Sequence, residues 1–417
     1  MSSQSDVCLN KLIVGMPGQI VLIKFDGSSF TVVGRYVQAS GIAGWLLFKA
    51  PNFLWSLTKL GDGTNLCKLS NGFSGPSTTP DVSSVESDAS WTKLFFDKPT
   101  FVSGVKTLPG GAHLAFNSDR TRIIEPCPDA GRIDIWDSSA MDGSVKRINY
   151  LPIPGTPTRG RTYHRPCKAV LDPTGRFFVV PNKSGASLLI IESRDGRYEI
   201  TDTITVPDVG PLRVAFIKFE GATYLVLLTA DSHELILYSV EYADSGIAFT
   251  EMHRRNTYVE GEQIDTCSLV SPLSTDFVVA YDEDADEHNR PDLYVLNRAA
   301  EYEEDHHTHY VPGHVAHFVL TRENASGEPR LMLIRGTPYG GHLPRAVCLS
   351  MDPDRSHLFV CNAVDESDDE PALIAFARHP ITHSLESRTA VMSFSELRID
   401  DSMGDEGNNP IFIRELR

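Results

Sequence analysis

RPCKAVLDPTGRFFVVPN (residues 165–182) and RAVCLSMDPDRSHLFVCN (residues 345–362) are two copies of one phrase, 180 residues apart. In each, an Arg stands seven residues before an Asp-Pro step and an Asn stands ten residues after that Asp. Two short apolar runs of strand length flank the Asp-Pro step. A tight turn between two such runs is the signature of a β-hairpin. A hairpin that returns at long period marks a repeat architecture, in which no unit buries its faces alone. The phrase therefore predicts an all-β fold of the β-propeller type.

The same rhythm runs along the chain. Strand-like runs fall at residues 11–14 and 19–25, at 45–49 and 53–60, and at 112–116, 122–124 and 132–136. They continue at 169–171, 177–180 and 188–192, then at 213–219, 224–228 and 235–240. The last sets are 266–270, 277–281 and 293–296, and 346–349, 357–361 and 373–376. No long stretch has the 3.6-residue period of an amphipathic helix. Counting inner hairpins gives a seven-bladed β-propeller, or six blades if the first pair belongs to a closing blade. Residues 1–417 form one domain on this reading, and the Ser-, Thr-, Pro- and Asp-rich stretch 72–90 reads as a mobile insertion.

Composition narrows the partners. Apolar residues make up 41% of the chain and charged residues 22%, which fits a soluble globular protein. A formal charge of −17 argues against nucleic acid and anionic membranes as partners. The acidic runs EYEED (301–305), DEDADE (282–287) and DESDDE (365–370) read as solvated loops. No signal-peptide core and no membrane span stands out. The seven scattered Cys include no CxxC pair, so reduced thiols in a cytoplasmic protein are expected. The five His of DHHTHYVPGHVAH (305–317) match no zinc spacing, so neither a metal nor any other cofactor is expected. P-loop, GxGxxG, GxSxG and HExxH motifs are missing as well.

Propeller geometry then points to one rim. The loops that enter the inner strands, and those between second and third strands, share one face, whereas the Asp-Pro turns lie on the other. Arg165 and Arg345 are expected at equivalent entries, with Arg213 of VGPLRVAF within about two residues of that register. A guanidinium is a planar fork that keeps its charge, so three of them suit an anionic oxygen; pairing with acids of neighbouring blades is the structural alternative. Tyr163, His164 and Lys168 lie on the entry loop TYHRPCK, and His164 could act as a general acid. His233 of TADSHEL could do the same with Asp231 orienting it. Trp45 heads an inner strand and serves either blade packing or the substrate.

The stretches AVLDPTGRFFVVPN (169–182), GPLRVAF (210–216), TYLVLL (223–228) and PRAVCLSMDPD (344–354) resemble the lactonase-like seven-bladed propellers. That family includes fungal carboxymuconate-lactonizing enzymes and bacterial 6-phosphogluconolactonases. The resemblance implies a His at the head of one inner strand, an Arg at the head of the next and an acid after that blade's second strand. Arg213 takes the Arg position, Cys167 stands in the His position, and Ala230, next to Asp231, stands in that of the acid. A narrower likeness, in length and acidity, is to the fungal hetero-Diels–Alderases of tropolone-sesquiterpenoid biosynthesis. The expected function is therefore a cofactor-independent cyclase joining a tropolone-type quinone methide to a terpene alkene. Arg213 and Arg345 would be the donors to the heterodiene oxygens, and a lactonase or cycloisomerase of a small carboxylate is the alternative. A non-catalytic propeller that binds a protein is the third reading.

Overall fold

The computed structural model describes residues 10–49, 53–60, 63–70, 100–107, 113–141, 144–157, 162, 164–207, 210–258, 274–280, 290–304, 307–322, 327–341, 343–352, 354–363, 371–397 and 412–415. At 36–49, 53–60, 63–70, 100–107 and 300–311 it describes the backbone alone. The insertion at 72–90, the run at 266–270 and Tyr163 lie outside the described residues, as does the side chain of Trp45.

Five four-stranded antiparallel sheets follow one another along the chain. Blade I holds Ala115–Phe116, Arg122–Cys127, Arg132–Asp137 and Lys146–Pro152. Blade II holds Val170–Leu171, Phe177–Asn182, Ser187–Arg194 and Arg197–Thr205. Blade III holds Pro211–Phe219, Ala222–Thr229, Glu234–Ala243 and Gly246–Asn256. Blade IV holds Ser274–Ala280, Asp292–Asn297, His314–Arg322 and Pro329–Pro338. Blade V holds Leu343–Leu349, His357–Ala363, Pro371–Arg378 and Leu385–Ser393.

A six-stranded sheet joins the two ends of the described chain, in the order Phe412–Glu415, Asn10–Phe25, Phe30–Lys49, Phe53–Leu60, Gly63–Ser70 and Thr100–Thr107. The fold is the expected β-propeller, and counts of six and seven blades differ only in how this wider sheet is divided. The runs at 11–14 and 19–25 are one continuous strand rather than a hairpin.

The sequence explains the strand roles within a blade. Second strands such as Phe177–Asn182 and Asp292–Asn297 are buried along their whole length, with unbroken apolar centres (FFVV and LYVL) and polar residues only at their ends. Fourth strands such as Arg197–Thr205 alternate polar and apolar and leave most of their residues in solvent, which blunts an open edge. Apolar clusters fill the gaps between blades. Ile190, Val214 and Leu227 belong to the cluster joining blades II and III, and Leu228, Leu237 and Val295 to the one joining III and IV. Flat sheets facing each other around an axis bury both faces in this way.

The Asp-Pro turns are structural, as expected. Asp172 accepts from the backbone N–H of Thr174 (2.9 Å), Arg176 (2.9 Å) and Phe177 (2.7 Å). Asp352 accepts from Ser356 N–H at 3.0 Å. Neither carboxylate is available to a ligand.

Blade IV departs from the expected frame. Residues 277–281 were expected to form its second strand and 293–296 its third. Instead, Ser274–Ala280 is the first strand of its sheet and Asp292–Asn297 the second. The third strand is His314–Arg322, reached after an inserted hairpin of Ala300–Glu304 and His307–Val311. Counting the strand-like run 266–270 as the first strand moves each later run of this blade one place along.

Candidate active site

The first strands of four blades enter the sheet in the same way. Pro166, Pro211, Ser274 and Pro344 pair with Asn182, Thr229, Asn297 and Asn362 at the ends of the second strands. In blades III, IV and V a one-residue register shift follows at once. A bulge of this kind re-aims the side chains beside it. Beyond it Arg213 lies opposite Leu228, Asp276 opposite Leu296 and Ala346 opposite Cys361. Leu212, Thr275 and Arg345 occupy the bulges themselves.

This register corrects the expected equivalence of Arg165 and Arg345. Arg165 precedes the bridging Pro166, whereas Arg345 follows Pro344. Both stand seven residues before an Asp-Pro step, but the connection differs. Leu171 pairs with Phe178, leaving six residues between them, and Leu349 pairs with Leu358, leaving eight. The two extra residues shift the strand relative to the phrase.

The expected alternative of an acid from the next blade holds for Arg213. Its Nε lies 3.4 Å from Asp276 Oδ1, with side-chain exposures of 26% and 13%. Arg345 is exposed, and its side chain makes no hydrogen bond or ion pair among the described residues. The Cys361 thiol feels the charges of both Asp276 and Arg345, and burial pushes it up to about 12. Three adjacent first strands thus bring Arg213, Asp276 and Arg345 to one rim.

Beside it, Lys183 Nζ lies 3.3 Å from Asp231 Oδ1. Gly210 makes room for that carboxylate: a Cβ there would meet Asp231 Oδ2 at 2.3 Å, and its φ is +59°. Cys167, where the sequence resemblance places a His, is half-buried. Burial raises its pKa, while Arg213, Lys183 and Arg165 pull it down. Arg165 is exposed, and Lys168 is half-buried.

The two His candidates separate. His164 is buried, and both ring nitrogens are engaged: Asn182 Nδ2 lies 3.0 Å from Nδ1, and Gly155 O lies 3.2 Å from Nε2. It is a latch for the entry loop and not an acid for a ligand. His314 repeats the device in blade IV, with Asn297 Nδ2 at 3.0 Å from its Nε2. His233 is half-buried with φ +54°, a left-handed conformation that is strained for a side-chain-bearing residue. Its carbonyl accepts from Thr257 N–H (2.8 Å), and its ring meets Tyr258 edge-on at 5.8 Å. Burial lowers its pKa, so the ring is neutral near pH 7, and its Nδ1 has no hydrogen-bond partner among the described residues.

Asp276, Lys183 and the Asn latches were not singled out from the sequence. Asn182 and Asn362 were visible as the repeated end of the phrase. Asp276 was hidden by the misplaced frame of blade IV.

The His-rich tract contributes structure where it is described. His317 Nε2 lies 2.7 Å from Asp292 Oδ1, and its ring stacks on Tyr294 at 4.8 Å. Among the described residues, Glu125, Cys127 and Asp134 bring possible metal-ligand atoms within 4.8 Å of one another. Asp134 is already paired with Arg132 (2.8 Å) and Arg147 (3.5 Å), and Trp136 Nε1–H donates to Glu125 (2.7 Å). The cluster is a neutralised buried network. No helix among the described residues is long and apolar enough to cross a membrane.

Solved structures share this architecture. A Lactobacillus plantarum protein superposes with TM-score 0.70 at 16% identity, over 98% of this chain and 100% of that one. A periplasmic gluconolactonase of Pseudomonas aeruginosa gives 0.68 at 15%, over 98% and 99%. A candidate 6-phosphogluconolactonase of Bacteroides fragilis gives 0.67 at 14%, over 100% of both chains. At these identities the likeness establishes the propeller fold, and its named members are of the lactonase-like kind. No protein-family model matches the sequence, and no curated protein matches it.

Proposed function

We propose that the rim of Arg213, Asp276 and Arg345 opens the ring of a small lactone that carries an anionic group. The observation that carries this reading is the half-buried Arg213–Asp276 pair with the exposed fork of Arg345 on the next blade. The chemistry follows from the charges. Arg345 and the Nη end of Arg213 hold the anionic group of the substrate, and Arg213 Nε–H, released from Asp276, donates to the lactone carbonyl, where negative charge grows. Asp276 accepts a proton as water adds to the carbonyl carbon. The ring C–O bond then breaks, and the departing oxygen takes the proton back from Asp276. Water is the only co-reactant. The lactonase-like neighbours share the scaffold and favour this class of reaction.

The cycloaddition expected from the sequence would use the same donors on a heterodiene. Lactone opening gives the Asp276 carboxylate a proton to accept as charge grows on the carbonyl, whereas the cycloaddition transfers none and leaves that carboxylate charged beside the oxygen, so lactone opening is preferred. A mass-spectrometric product assay separates the two. The protein is offered gluconolactone, 6-phosphogluconolactone and carboxymuconolactone, and separately a tropolone benzylic alcohol with humulene. Ring opening that falls about 100-fold in Arg345→Ala supports the proposal. Stereoselective adduct without ring opening sinks it and restores the cyclase.

A further inference from the structure

We infer that Asp276 is the resident occupant of a carboxylate-binding site, and that an incoming carboxylate displaces it from Arg213. The inference rests on reading the rim as the ligand site and specifies how that site is kept closed. Arg213 and Asp276 hold the same post-bulge position on neighbouring first strands, so their side chains leave the two sheets at the same height. Contact is made through Nε at 3.4 Å, a single long interaction that does not use the two-pronged end of the guanidinium. The matching position of blade V is Ala346, which adds no charge. Arg345 beside it has no ion-pair partner among the described residues. A ligand carboxylate that bridged Arg345 and Arg213 would form shorter, two-pronged bonds and free Asp276 to face the ligand. The same movement delivers a carboxylate next to the bound molecule only when that molecule carries the right charge. The site thus selects for an anionic ligand and penalises a neutral one.

Calorimetric titration of the full-length protein with citrate at low salt tests this without turnover. Asp276→Asn keeps the shape and removes the competing charge, so it binds citrate roughly threefold to tenfold more tightly than the native protein. Arg213→Ala in the Asp276→Asn background removes that gain. Asp276→Ala serves as the second variant, and thermal melting shows that each protein is folded. Equal or weaker citrate binding by both Asp276 variants overturns the inference, as does citrate binding by none of the proteins. The lactone assay fails or succeeds separately. Tighter citrate binding without ring opening keeps the site and removes the proposed reaction, and ring opening with unchanged citrate affinity does the reverse.

Discussion

Arg213 and Asp276 stand at the same place on two neighbouring first strands, each just past a bulge, and form one ion pair across the blade boundary. Such pairs bind blades as well as ligands, and their worth depends on burial. With exposures of 26% and 13%, solvent screens part of the attraction, and removing one partner costs more than removing both. Arg213→Ala leaves Asp276 without its cation and is expected to lower stability by about 1–2 kcal/mol in urea unfolding. Arg213→Ala with Asp276→Asn should regain most of that loss. A double variant as unstable as the single one would show that packing of the Arg213 stem, not its charge, is what matters.

The entry loop of blade II depends on Asn182. Its side chain accepts from Arg165 N–H (3.1 Å) and donates to His164 Nδ1, and the residue is 1% exposed. Gly185 packs so closely that a Cβ there would meet Asn182 Nδ2 at 2.1 Å. Asn182→Ala strands a part-buried backbone donor and a buried ring, so a loss of about 1–3 kcal/mol is expected. Hydrogen exchange should speed up at Arg165 and Lys183 while blade V stays protected. Uniform loss of protection across all blades would contradict a local latch.

The blades were legible in the sequence because period-two alternation and Asp-Pro turns are local signals. Runs such as FFVVPN and TYLVLL mark second strands without any knowledge of their neighbours. The rim was only half legible. Arg213 was found through its strand, but its partner Asp276 lies 63 residues away on a blade whose frame is displaced when the run 266–270 is counted as its first strand. Arg165 and Arg345 share a spacing to the next turn, yet register is set by strand pairing, and two extra turn residues break the match. His164 looked reactive because its sequence context is polar; only the Asn182 and Gly155 contacts show that it is consumed by the fold.

Stability should fall as the pH is lowered below neutrality. His233, His253 and His357 all have pKa values lowered from 6.5, in each case chiefly by burial. Asp231 and Asp352 oppose the shift at His233 and His357, and Arg255 and Arg330 add to it at His253. A depressed folded pKa means that the unfolded chain takes up protons first. The stability is therefore complete above about pH 6.5 and declines as the pH falls through the lower folded values. Melting temperature should drop between about pH 7.5 and pH 5. His357 packs edge-on to Phe25 at 4.9 Å, so His357→Phe keeps a ring there and should flatten part of the slope. An unchanged slope in that variant would assign the pH dependence to other groups.

Asp292 anchors blade IV to blade V away from the Arg rim. One oxygen accepts from His317 Nε2 at 2.7 Å, and the other faces His383 Nδ1 and lies 3.5 Å from Arg378 Nη2. Arg378 also donates to Tyr294 Oη (2.7 Å) and to the carbonyl of Arg355 (2.7 Å), so it is held in place with 7% exposure. Asp292→Ala removes the carboxylate while the guanidinium stays buried, a change expected to cost about 3–5 kcal/mol. Asp292→Asn retains an acceptor and should lose less. Because the network lies at the far end of the strands, Asp292→Asn should leave citrate binding at the rim as it is in the native protein. A folded Asp292→Asn protein with altered citrate affinity would instead mean that the two ends of blade IV are coupled.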